Sequence, residues 1–282
     1  MNKKLFIIFC LVFVGIFIGS DVPQTKHFLR LIDWQFLNGI FSRLQHYEPS
    51  LESSAMNLTD AEYNYGWLDS NADVSSFLVI RHRGGNFKKY GQNTVRVIDD
   101  SLAAGYRLIE LDFILENEEI VCATDERFKA QRCDLDNIFE RFESHDFWLV
   151  VDIKDEKVRD PLVFEKYLEI FFTYPKFVKY KDRFIFQVYN LAHLDVLTEF
   201  PIETGPIFTT YNTTVPISII RDQLRHHGVR AVTTPINALR FIPKGITQDF
   251  LLFTHPVSGR KTMEGLFEDF GVNGFYCSEL CK

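Results

Sequence analysis

The sequence predicts an α/β protein folded as a (β/α)8 barrel. From Phe77 onward, short apolar, β-branched or aromatic runs alternate with stretches whose apolar positions recur at helical spacing. Eight such runs fall between residues 77 and 282, the count and length that a barrel of alternating strands and helices requires. A doubly wound open sheet is the alternative arrangement of the same elements. Capping residues and glycines stand where the intervening helices would start and stop.

Strands are expected at 77–82, 107–113, 147–153, 183–189, 206–210, 229–234, 249–254 and 273–277. Helices follow from four apolar sets. These are Val95, Ile98 and Leu102; Leu135, Ile138, Phe139 and Phe142; Leu162, Tyr167, Leu168 and Phe171; and Met263, Leu266, Phe267 and Phe270. Thr94 is placed to cap the first of them and Asp160-Pro161 to open the third, while Gly105, Gly228 and Gly271 follow helices.

Ahead of the barrel the pattern changes. Met-Asn-Lys-Lys precedes fifteen uncharged residues, Leu5 to Gly19, the form of an export signal or an uncleaved membrane anchor over residues 1–20. Residues 21–76 would hold an amphipathic helix at 27–44 and an acidic, Ser/Asn-rich linker or irregular cover from Glu48 to Ser76. An exported, periplasmic or secreted location follows, with membrane association through 5–19, while 27–44 is read first as packing against the main domain and second as a further membrane contact.

The whole chain has 282 residues, 46% of them hydrophobic, with 28 Phe and 11 Tyr, enough for one large core. A net charge of -7 without a long basic run argues against nucleic acid as a partner. Apart from Cys10, four cysteines remain, which in an exported chain allow three disulfide connectivities. The two close pairs, Cys122 with Cys133 and Cys277 with Cys281, are preferred, with free buried thiols as the alternative.

Chemistry concentrates at strand ends. On a barrel, catalytic groups gather at the carboxyl ends of the strands, where His82 ends the first, Glu110 and Asp112 the second, and Asp152 and Lys154 the third. Residues two apart on a strand share a side, so three carboxylates converge as an oxygen-rich site for Mg²⁺ or Ca²⁺. Arg83 and Lys154 add positive charge for an anionic substrate, and Gly84-Gly85 lets backbone approach it. The set points to phosphoryl chemistry; a salt-bridge network at the barrel mouth is the bland alternative.

His82-Arg83-Gly84, Asn93-Thr94, the stretch from Gly105 ending Ile-Glu-Leu-Asp112, Val151-Asp152-Ile153-Lys154, Gln187-Val188-Tyr189 and Gly271-Val-Asn-Gly274 together resemble the ordered motifs of glycerophosphodiester phosphodiesterases. The resemblance spans residues 77–282. It implies a (β/α)8 barrel of the phospholipase-C-like phosphodiesterase type, a divalent metal, and a small-molecule or lipid-derived phosphodiester substrate, such as a glycerophosphodiester or a lysophospholipid-like molecule. By the same resemblance His82 matches the first of two catalytic histidines, Arg83 a phosphate contact, Glu110, Asp112 and Asp152 the metal ligands, and Lys154 a cation beside the phosphate.

Three positions depart from the pattern. Gln92 stands where the family has Glu, and Asp152 where a ligand Glu is usual, as in the similar sphingomyelinase-D branch, which also carries a disulfide in the loop after Glu-x-Asp. The third departure bears on catalysis. Where the family has its second His-Asp pair, this chain reads Thr124-Asp125, and Thr cannot titrate near neutral pH. The expectations are therefore an active phosphoric diester hydrolase or a catalytically inactive barrel that binds a phosphodiester, lipid head group or surface polymer. His193, expected in the loop after the fourth strand, and His255, at the end of the seventh, lie on the correct face, each read first as a packing or surface histidine. His145 and His226-His227 lie on the wrong one.

Overall fold

A computed structural model describes residues 63–69, 77–85, 87–124, 126–155, 157–210, 217–243 and 245–278. The chain divides after Met56, and all the described residues belong to the second unit, Asn57–Lys282. The expected segments at 1–20 and 27–44 lie outside the described residues. Among the described residues no helix is long and apolar enough to cross a membrane.

Nine strands form the sheet: β1 Leu78–Arg81, β2 Leu108–Glu116, β3 Glu119–Cys122, β4 Trp148–Ile153, β5 Phe184–Val188, β6 Ile207–Thr209, β7 Ala231–Pro235, β8 Leu251–Val257 and β9 Gly274–Cys277. Eight are parallel in the order β1-β9-β8-β7-β6-β5-β4-β2, and β1 also pairs with β2, so the sheet closes into a barrel. The open-sheet alternative is excluded by that closure. β3 is an addition to the eight expected strands, an antiparallel hairpin partner of β2 turning through Asn117 and Glu118, both at positive φ.

The helices start where their caps place them. The Thr94 hydroxyl accepts from the Val97 N–H at the head of Val95–Ala103, and Asp134 and Asn137 form a reciprocal box at the head of Leu135–Ser144. Asp160 caps Pro161–Thr173 with Pro161 in the first turn, and Gly271, at φ 67°, ends Arg260–Phe270. Their apolar faces cover the outside of the barrel in a layer rich in phenylalanine, where Phe139, Phe164 and Phe171 of the helices pack on Phe184 and Phe186 of β5, all fully buried.

Residues 63–69, within the stretch expected to be linker or irregular cover, pack under the amino-terminal ends of the strands. The Trp67 Nε1–H donates to the Gly205 carbonyl at 3.2 Å and its ring lies 5.9 Å from that of Phe253. The Tyr65 hydroxyl donates to Pro206 O and accepts from the Arg230 N–H. Gly205 permits this approach, since a Cβ there would lie 2.3 Å from the Tyr65 ring.

Candidate functional site

Strand register decides what faces the barrel interior. Parallel partners face the same side, and residues two apart on a strand do as well. Leu108 lies opposite Ile80, Ile80 opposite Tyr276, and Gly274 opposite Phe253. Counting by twos along each strand therefore puts Glu110, Asp112 and Tyr276 on one interior surface, and His255, within a break of the β8–β9 register, joins them through its ring contacts with Tyr276 and His82. Asp112 is directly opposite Asp152 on β4, and His255 is opposite Pro235 on β7.

Glu110, Asp112 and Asp152 meet as the sequence predicts, each at most 3% exposed and with ligand oxygens within 4.8 Å of one another. Burial, then the charges of Asp112 and Asp152, pushes the Glu110 carboxyl well above its ordinary range. Burial likewise raises Asp152 to about 6, against the opposing pull of Lys154. Two cations stand among the acids. Lys154 Nζ is 3.3 Å from Asp112 Oδ1 and also bonded to Asp152, and Arg83 Nε is 3.0 Å from Asp112 Oδ2. The three carboxyls form an all-oxygen donor set in which each raised acid lacks enough positive charge to offset its burial, which fits a hard divalent cation.

The backbone is shaped to this arrangement. Arg83 sits in the left-handed region at φ 54°, a conformation costing about 1–3 kcal/mol for a non-glycine residue. There its N–H donates to Glu110 Oε2 at 2.6 Å, while its guanidinium donates to Gln92 Oε1 at 2.9 Å. Gln92 therefore serves here as a neutral acceptor that orients Arg83.

Several residues that carry the site were not singled out by sequence reasoning. Asn93 donates to Asp112 Oδ2 and Ala123 O, and accepts from the Asp112 N–H, locking β2 to the loop that follows β3. The Tyr189 hydroxyl donates to Asp152. Ser278 bonds His82 Nδ1 at 2.8 Å across 196 residues. Asn93 and Tyr189 lie inside the motifs quoted above, whereas nothing local marks Ser278.

Of the two histidines read first as packing or surface residues, His193 is one and His255 is not. His193 is not in a loop; it lies in the helix Leu191–Thr198, fully buried and stacked on Phe164 at 4.4 Å, where it is a packing residue. His255 belongs to the site. Its ring centroid is 5.9 Å from that of His82, and Tyr276 presents an edge contact to each, at 5.7 and 6.4 Å. Burial lowers His82 to about 3 and His255 to about 4, helped in both by Arg83 and Lys154. Thr124 is near the site as expected, with its hydroxyl donating to the Asn93 carbonyl at 2.8 Å. The Cys122–Cys133 disulfide is present and closes the loop that carries it. Cys281, the expected partner of Cys277, lies outside the described residues.

No protein-family model matches this sequence, and no curated protein is significantly similar to it. Solved structures do share the architecture. A Silicibacter pomeroyi protein assigned as a glycerophosphoryl diester phosphodiesterase superposes with a TM-score of 0.58 at 12% identity, over 77% of this chain and 95% of its own. A phosphodiesterase of Oleispira antarctica, solved with the product sn-glycerol-3-phosphate, gives 0.55 at 12% identity, over 71% and 92%. A glycerophosphodiester phosphodiesterase from Parabacteroides distasonis gives 0.55 at 15%, over 72% and 93%. The fold is thus the (β/α)8 barrel of the glycerophosphodiester phosphodiesterases, carrying a buried acidic triad at its mouth.

Proposed function

We propose that this protein is a metal-dependent phosphoric diester hydrolase acting on glycerophosphodiesters or lysophospholipid-like substrates. The observation that carries the reading is the triad Glu110, Asp112 and Asp152, buried at the carboxyl end of the barrel beside His82, Arg83 and Lys154. The shared barrel and the product bound in the Oleispira antarctica structure support it.

In this reading Glu110, Asp112 and Asp152 would hold one Mg²⁺ or Ca²⁺, which would supply Lewis-acid stabilisation of phosphoryl charge. Arg83 and Lys154, already drawn to the triad, offset the phosphate's negative charge and fix its orientation. His82, held by Ser278 and neutral through burial, takes the proton of the attacking oxygen. Export, expected from residues 1–20, is part of the same proposal and rests on that segment's composition.

The test is turnover of glycerophosphocholine, glycerophosphoethanolamine and lysophosphatidylcholine by the full chain. EDTA should abolish it, Mg²⁺ or Ca²⁺ should restore it, and Asp112→Asn should lower it by ~10²-fold or more. Turnover indifferent to both chelator and substitution would sink the reading. A second reading, an inactive barrel that binds such a ligand, is favoured by Thr124, whose hydroxyl is turned to backbone. Binding without turnover in the same assay would establish it.

A further inference from the structure

We propose that His255 is the general acid of this site, giving its proton to the leaving oxygen in place of the imidazole that position 124 lacks. The inference rests on the hydrolase reading above.

Thr124 has no proton to give near neutral pH, and its hydroxyl is engaged with Asn93 O at 2.8 Å. The interior wall offers one other imidazole beside His82 among the described residues. The β8–β9 register breaks after Thr254, and beyond that break the His255 ring lies 5.9 Å from that of His82, with 30° between their planes, and 5.7 Å from that of Tyr276. A single phosphodiester can span that separation within ~3 Å of a nitrogen on each ring, the reach proton transfer needs. Tyr276 packs its edge against both rings, and its hydroxyl is itself tied to Gln187 Oε1 at 3.3 Å, so the pair shares one fixed support. Burial, Lys154 and Arg83 keep His255 neutral until substrate binds, and the negative charge of a phosphodiester seated between the rings is what draws a proton onto it.

The order along the wall assigns the roles. β2 and β4 carry the triad, β1 leads to His82, and β8 carries His255 beyond β9. His82 is therefore on the triad side of a phosphodiester set between the rings, and His255 is left for the oxygen on the opposite side of phosphorus. As the new O–P bond forms, His82 takes a proton of the attacking water. As the old P–O bond breaks, protonated His255 gives its proton to the departing alkoxide. His82 ends protonated and His255 neutral, and exchange with solvent resets the pair without any other reactant.

The experiment compares two substrates on the full chain with its metal: glycerophosphocholine, whose alcohol leaves only when protonated, and bis(p-nitrophenyl) phosphate, whose phenolate leaves unaided. His255→Gln should lower kcat on the first by ~10²-fold or more and on the second by less than ~10-fold, whereas His82→Gln should lower both. Should His255→Gln not fold, as judged by circular dichroism, His255→Asn provides the same comparison. Equal effects on both substrates, or none, would overturn the role of His255 and leave the hydrolase reading standing. Absence of wild-type turnover on both substrates overturns that reading and this inference with it.

Discussion

Glu110 pays in stability for its place in the site. It shares a volume within 4.8 Å of two other buried carboxylates, and its one assigned donor is the Arg83 N–H. Glu110→Gln keeps the shape and removes a carboxyl whose ionisation the folded site opposes, so the metal-free protein should gain about 1 kcal/mol near neutral pH. The same variant should lose the rise in melting temperature that Mg²⁺ or Ca²⁺ gives the wild type. Thermal unfolding with and without the cation checks both outcomes, and a metal-free loss of stability would refute the account. The triad was legible in the sequence because two-residue spacing on a strand fixes a common side whatever the rest of the fold does. His255 was only half legible. Its strand was expected to stop at 254, ahead of Pro256, whereas β8 runs to Val257 and carries the imidazole into the interior. His193 misled for the opposite reason: Leu191, Leu194 and Leu197 do have helical spacing, and Asn190 caps them, but the segment is short enough to pass for a loop.

At the scale of elements, the hairpin β2–β3 and the loop after it form one unit around Asn93. The Cys122 N–H bonds to Cys133 O, the Cys133 N–H bonds to Asn93 O, and the disulfide closes an 11-residue separation. Replacing both cysteines by serine should destabilise the protein by about 3 kcal/mol, the loop-closure value for such a length. Because Ala123 O is also held by Asn93, the change should weaken metal binding as well. Denaturant unfolding and metal titration of the double variant test this, and unchanged metal affinity would separate the loop from the site. The eight parallel strands were readable from their apolar runs, since burial on both faces leaves little alternation to misread. β3 was not, because its turn, Asn117-Glu118, lacks the glycine that usually marks a hairpin.

For the molecule as a whole, the barrel has a mouth that carries the chemistry and a floor that has none. The floor is covered by Tyr65 and Trp67, residues that precede the first strand by about a dozen positions and whose local sequence shows no period. Only the assembled barrel gives them a partner, which is why sequence pattern could not assign them. Trp67→Ala should cost about 3–5 kcal/mol, the value for truncating a fully buried aromatic, and leave the metal affinity of the distant triad unchanged. Chemical denaturation beside metal titration measures the two separately; a small stability loss would show that the floor is dispensable.

Barrel closure also sets when the site comes into being. His82 follows β1 and is oriented by Ser278, which follows β9, and these two strands pair with each other although almost the whole barrel sequence lies between them. Contacts between such distant residues form late, because the loop entropy must be overcome before they return any energy. A refolding chain would regain its helices and inner strands first and acquire an oriented His82 only when the ring of strands shuts. Recovery of turnover is then a clock for closure itself, read separately from the recovery of secondary structure.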